Sequence, residues 1–148
     1  MEIEAAQQEV LLAEIAGVLE TVQEPAARSR YEELASAVSG GTVEDRLVGS
    51  LEALTEMSLQ TGRVRRLHGA ESEQALLRLF HRTPRGAAAR QATESVNRAL
   101  RELSGQVIEE MLFTVQAPGV FRLGVRTDRV RLALEIDRHG VTVESLEV

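Results

Sequence analysis

The chain holds three histidines, His68, His81 and His139, and with carboxylates such as Glu71 or Glu109 these are residue types that would bind zinc or iron. No two of them stand at H-x-x-x-H or H-E-x-x-H spacing. His68 falls in a loop beside Gly69, His139 lies in a hairpin turn, and His81 borders the apolar side of a helix. No metal site is expected from that pattern. Cysteine is absent, which removes thiolate nucleophiles, zinc-thiolate sites and iron–sulfur clusters.

Acid pairs fare no better. Glu32-Glu33 and Glu109-Glu110 are chain neighbours, and neighbouring side chains diverge on a helix and point to opposite faces of a strand. Neither pair aims two carboxylates at one substrate. There is no G-x-S-x-G elbow, and "SGGT" and "RTPRG" match neither a P-loop nor a dinucleotide fingerprint. The inventory leans away from an enzyme and implies no cofactor; a small site built from His68, His81 and a nearby Glu is the residual catalytic reading.

Arginine is the more informative residue. All 17 basic residues are Arg, and the stretch from position 62, "GRVRRLHGAESEQALLRLFHRTPRG", carries six of them: Arg63, Arg65, Arg66, Arg78, Arg82 and Arg85. These six lack acidic partners at helical spacing. By contrast Arg90, Glu94, Arg98 and Glu102 alternate at i,i+4 and pair among themselves. The six lead into a helix start at Thr83-Pro84, where free backbone N–H groups favour an anion. A phosphate, or a carboxylate from the acidic first segment, would suit that place.

A second group lies on the outer face of a predicted sheet. With a turn at Thr127-Asp128, Arg126 is expected opposite Arg129, with Glu135 and Glu144 as diagonal partners for Arg122 and Arg131. That face reads as a solvated surface of alternating charge.

The net charge of −6 conceals a segregation. Residues 1–59 carry three Arg against twelve acids, residues 60–106 nine against four, and residues 107–148 five against seven. An acidic region that folds back on a basic one, or meets it between subunits, explains such asymmetry. Nucleic acid is disfavoured by the acidic total, by 3% aromatic content and by the lack of a reading module. The first twenty residues lack a basic n-region and a continuous apolar run, and no segment reaches membrane-spanning length, so the expected location is cytoplasmic.

Periodicity supplies the frame that must position these groups. A helix is expected from about Glu2 to Gln23, with Leu11, Leu12, Ile15, Val18, Leu19 and Val22 as a broad apolar stripe. Such a stripe must dock on the body of the protein or on another copy. Glu24-Pro25 opens a second helix that ends at Gly40-Gly41. Thr42 is expected to cap a third, which buries Leu47, Leu51 and Leu54 and closes at Gly62. A fourth is expected between Gly69 and Pro84, and a fifth from Thr83-Pro84 to near Gly105, with Ala89, Ala92, Val96, Ala99 and Leu103 as a seam suited to another helix.

After Gly105 the period becomes two. "VFRLGVRT", "RVRLALEID" and "VTVES" read as strands of an antiparallel meander, and "IEEMLFTVQ" as a fourth strand in which Met111, Phe113 and Val115 alternate. "DRHG" reads as a four-residue hairpin loop that sets Ile136 opposite Val141 and Leu134 opposite Val143. The expected fold is α+β: about five N-terminal helices (1–105), then a three- to four-stranded β-meander (106–148) packed on the last helix, in a single domain of 148 residues. The leading functional expectation is a non-enzymatic interaction or assembly protein, homo-oligomeric, with acidic helices meeting the basic middle. A regulatory module binding an anion or nucleic acid through Arg63–Arg85 is the alternative.

Overall fold

The computed structural model describes residues 1–148 and consists of five helices followed by a four-stranded antiparallel sheet, an α+β fold. The helices are α1 (Ala5–Thr21), α2 (Pro25–Ser39), α3 (Asp45–Gln60), α4 (Arg63–Phe80) and α5 (Pro84–Arg101). The strands are β1 (Ile108–Ala117), β2 (Val120–Thr127), β3 (Arg131–Asp137) and β4 (Gly140–Glu147), in spatial order β1-β2-β3-β4. The chain divides into two compact units, Met1–Ala87 and Ala88–Val148. The division falls inside α5, well before the change of period at Gly105.

In the first unit, the apolar faces of α1 to α4 share one core. Leu11, Ile15, Leu34, Val38, Leu51, Leu54, Leu76 and Leu79 are all essentially inaccessible to water. Each such side chain contributes about 1.5–3 kcal/mol by leaving water. The stripe on α1 is consumed here: Leu12, Val18 and Leu19 pack against the same cluster, and Val22 is half-buried at the end of the helix.

Three local expectations change. Residues 1–3 are extended rather than helical, because Ile3 N–H donates to Gly41 O and Val43 N–H to Met1 O, which buries Ile3 and Val43 together. Thr42 therefore belongs to a bridge with Glu2 and does not cap α3, whose N-cap is Glu44. Residues 63–68, expected as loop, are helical. They continue into α4 through a break at Gly69, whose φ of 88° and ψ of 175° lie outside any helix.

That conformation is nearly exclusive to glycine, and a Cβ at Gly69 would meet nothing within 4 Å. Gly69→Ala should therefore lower stability by backbone strain alone, by about 1–3 kcal/mol. Urea denaturation followed by helical circular dichroism would show it, and an unchanged midpoint would contradict the strained break.

In the second unit, Val96 and Ala99 of α5, with Leu103 beyond its end, pack on Val125, Leu132 and Leu134 and on the half-buried Leu123, Val141 and Val143. The small-residue seam of α5 thus meets the sheet, not another helix, and Ala89 at its start is exposed. The helix ends at Arg101, a turn earlier than Gly105. Ile136 pairs with Val141 and Leu134 with Val143 as the parity requires, and the Asp137–Gly140 pair shortens the hairpin loop to Arg138-His139.

Narrow helix cover has a consequence at the sheet's edge. No β1 residue joins the α5 cluster, and Met111, Phe113 and Val115, the alternating apolar residues of β1, are exposed. Leu112 on the opposite face is as exposed as its neighbours, so burial does not alternate along β1, and the α5 cluster takes residues only from β2, β3 and β4.

Candidate functional site

The charge segregation resolves through named contacts. Glu14 stands on the buried side of α1, only 3% of its side chain open to solvent, and its Oε2 accepts from Ser58 Oγ at 2.8 Å. Arg63 Nε lies 3.2 Å from the same carboxylate, and His68 Nε2 lies 3.3 Å from Oε1. One buried acid thereby ties α1 to α3 and α4. Gly17, one turn along α1, leaves the space that the Arg63 guanidinium occupies, since a Cβ there would come within 3.1 Å of it.

The start of α5 also has its anion. Thr83 caps the helix, its Oγ1 accepting from Gly86 N–H at 3.2 Å, and the backbone N–H of Arg85 donates to the buried Glu52 at 2.8 Å. The Arg85 guanidinium pairs with Glu56 at 2.8 Å. Carboxylates of the acidic segment therefore occupy the place where a phosphate or carboxylate would sit.

Of the six arginines, then, Arg63 and Arg85 meet acids of α1 and α3. Arg65 reaches Glu73 within α4 at 3.7 Å, Arg66 touches the Thr61 carbonyl, and Arg82 donates to the Glu2 carbonyl. Arg78 projects to solvent. The six do not converge on one external site.

The histidines do not converge either. His68 joins the Glu14 network, not Glu71 or Glu109; His81 is half-buried against Phe80; His139 sits exposed in the hairpin, accepting from Arg138 Nε. No group of three potential ligands could hold a metal ion. The pairing of His68 and Arg63 with Glu14 was hidden in the sequence, yet one signal was available. Glu14 is four residues after Val10 and three after Leu11, within the stripe itself, and Gly17 interrupts a helix that has no other reason for a glycine.

On the outer face of the sheet an open groove of about 640 Å³ runs over Gly124 and Ala133, flanked by Arg122, Arg126 and Arg131. The register sets Arg126 opposite Arg131, not Arg129, because Thr127 to Val130 form the turn: Thr127 Oγ1 accepts from Arg129 N–H and Val130 N–H, and Thr127 N–H donates to Val130 O. Arg126 is relieved by both Glu109 and Glu110, 3.8 and 3.6 Å away, contrary to the divergence expected of neighbours in a strand, because the irregularity between Ile108 and Glu110 interrupts the alternation there. Arg122 faces Glu135 across the ladder and pairs with Glu144 at 2.8 Å, while Arg131 stands opposite Glu147. The acids neutralise this face from within.

β1 is what remains unpartnered. It ends the sheet, so one side of its backbone has no neighbouring strand, and Met111, Leu112, Phe113 and Val115 leave 58–68% of their surface open. Val107 and Ile108 extend the exposed run. Phe113 stacks on Phe121 with ring centroids 5.5 Å apart and presents its other side to solvent. A long, exposed apolar edge strand is a template for pairing with another chain. No helix of the chain is long and apolar enough to cross a membrane.

The fold and this edge define an α+β chain with an open sheet border. No family model, curated protein or solved structure matches it.

Proposed function

We propose that the chain is a non-enzymatic protein–protein interaction protein that acts in assembly, with β1 as its docking element. The observation that carries the reading is the ten-residue edge strand with exposed apolar side chains on both faces. An added strand would bring main-chain hydrogen bonds for affinity and side-chain contacts for specificity. The polar candidates support the same reading. Glu14, Glu52, Glu56, Arg63, Arg85 and His68 satisfy one another or the backbone, which leaves them structural work. The Arg63–Arg85 stretch, with three of its charges set against the chain's own acids, offers less to an outside phosphate.

The test is a photocrosslinking phenylalanine analogue at Phe113, introduced in the cells that make the protein. A covalent adduct with a polypeptide is expected from position 113 and not from Gln91, which is exposed on α5. If position 113 captures no polypeptide, β1 is not a docking element.

A further inference from the structure

We infer that the occupant of β1 is β1 of a second copy, paired antiparallel about a two-fold axis at Phe113. This rests on the reading of β1 as the docking element and names its partner.

The first support is what the strand lacks. Edge strands usually resist pairing through charge, proline, bulges or an inward-pointing ionic group. Between Met111 and Val115 β1 has no charge and no proline, and its irregularities fall outside that segment, at Ile108/Glu110 and Val115/Ala117. A regular, uncharged ladder is left open in the middle, flanked by bulges at both ends.

The second support is charge complementarity with itself. The only charges of β1, Glu109 and Glu110, lie at one end. Parallel self-pairing would set them beside their own copies, whereas antiparallel pairing sends them to opposite ends. A two-fold axis normal to the sheet preserves faces, so facing residues must differ by an even number of positions. Centred on Phe113, this register places Met111 of each copy opposite Val115 of the other and Leu112 opposite Thr114, and sends the acidic end of each strand toward the uncharged end of its mate. No like charges meet. Centring on Leu112 instead would set Glu109 against Val115. The Phe113 register also sets the two Phe113 rings face to face on the inner side, extending each Phe113–Phe121 stack into a row of four aromatics.

The third support comes from the competing edge. β4 carries Glu144 and Glu147, so β1 on β4 of another copy would bring acid to acid. Such a head-to-tail contact also leaves free edges at both ends and does not close. β1 on β1 closes and yields one eight-stranded sheet.

The experiment uses the full chain. Sedimentation at micromolar concentration is expected to give a dimer. Phe113→Asp, which opposes two carboxylates at the axis, should weaken dimerisation by roughly a hundredfold or more. Circular dichroism should stay unchanged, because Phe113 lies outside the α5 cluster. The chain has no cysteine, so Phe113→Cys provides an independent readout. It should form an intermolecular disulfide under mild oxidation, while Gln116→Cys, which antiparallel pairing places at the opposite end of the interface from its own copy, should not.

Self-pairing is overturned by a monomeric unaltered protein, by a dimer indifferent to Phe113→Asp, by growth beyond the dimer with concentration, or by preferential crosslinking at Gln116→Cys. A monomer that still captures a different polypeptide at position 113 overturns self-pairing alone and leaves the docking reading standing. Capture of nothing overturns both.

Discussion

Gly86→Ala is expected to destabilise the helical unit by about 3–5 kcal/mol, in the range of severe core lesions. A Cβ on Gly86 would lie 1.8 Å from the Phe80 carbonyl oxygen, 2.5 Å from its carbon and 2.9 Å from His81 Cα. All three are backbone atoms, so no side chain can rotate away. The turn between α4 and α5 would have to open. That turn is closed by Thr83, which bonds the Phe80 carbonyl through both its N–H and its hydroxyl and accepts from Gly86 N–H. Opening it would also draw Arg85 from Glu52 and Glu56.

The same exchange at Gly49 is a fair control. Gly49 lies inside α3 where an added Cβ would meet nothing within 4 Å, so Gly49→Ala should stabilise by about 0.5–1 kcal/mol through helix propensity. Urea midpoints read by helical circular dichroism should thus move in opposite directions. A loss at Gly86 no larger than a propensity effect would show that the close approach carries no weight.

Removing Arg63 should be costlier than removing the charge it neutralises. In Arg63→Leu the buried Glu14 carboxylate keeps only Ser58 and His68, and an under-compensated buried charge is expensive. Arg63 itself is half-exposed, so water screens part of the pair. A loss of about 2–3 kcal/mol is expected. Adding Glu14→Leu to that variant removes the stranded charge and keeps an apolar side chain of similar reach in the core. The double variant should recover at least about 1 kcal/mol over Arg63→Leu. A double-mutant cycle by chemical denaturation measures this. If the double variant is the sum of two losses, Glu14 and Arg63 are not coupled.

Much of the fold was legible because local chemistry and global packing agree. Glu24-Pro25 starts α2, with Glu24 accepting from the N–H groups of Ala26 and Ala27, and Thr83-Pro84 starts α5 as cap and first residue. The hairpin register at Ile136–Val141 follows from side-chain alternation alone. Where local signals misled, a longer-range contact overrode them. Thr42 has the chemistry of a cap, but its segment pairs with residues 1–3. Glu14 has the chemistry of a surface acid, but Ser58, Arg63 and His68 lie 44, 49 and 54 residues away in sequence, and no periodicity reports such distances.

By itself, then, the sequence determined the elements, their order and the alternation of their faces, because backbone propensity, capping and hydrophobic period act within a few residues of one another. Only the tertiary structure decided which faces found cover. α1 buries its stripe within the helical unit, the basic stretch spends much of its charge on the chain's own acids, and α5 leaves Met111, Phe113 and Val115 open on β1. Burial is a property of what lies opposite a side chain, and what lies opposite is fixed by packing between segments far apart in the chain.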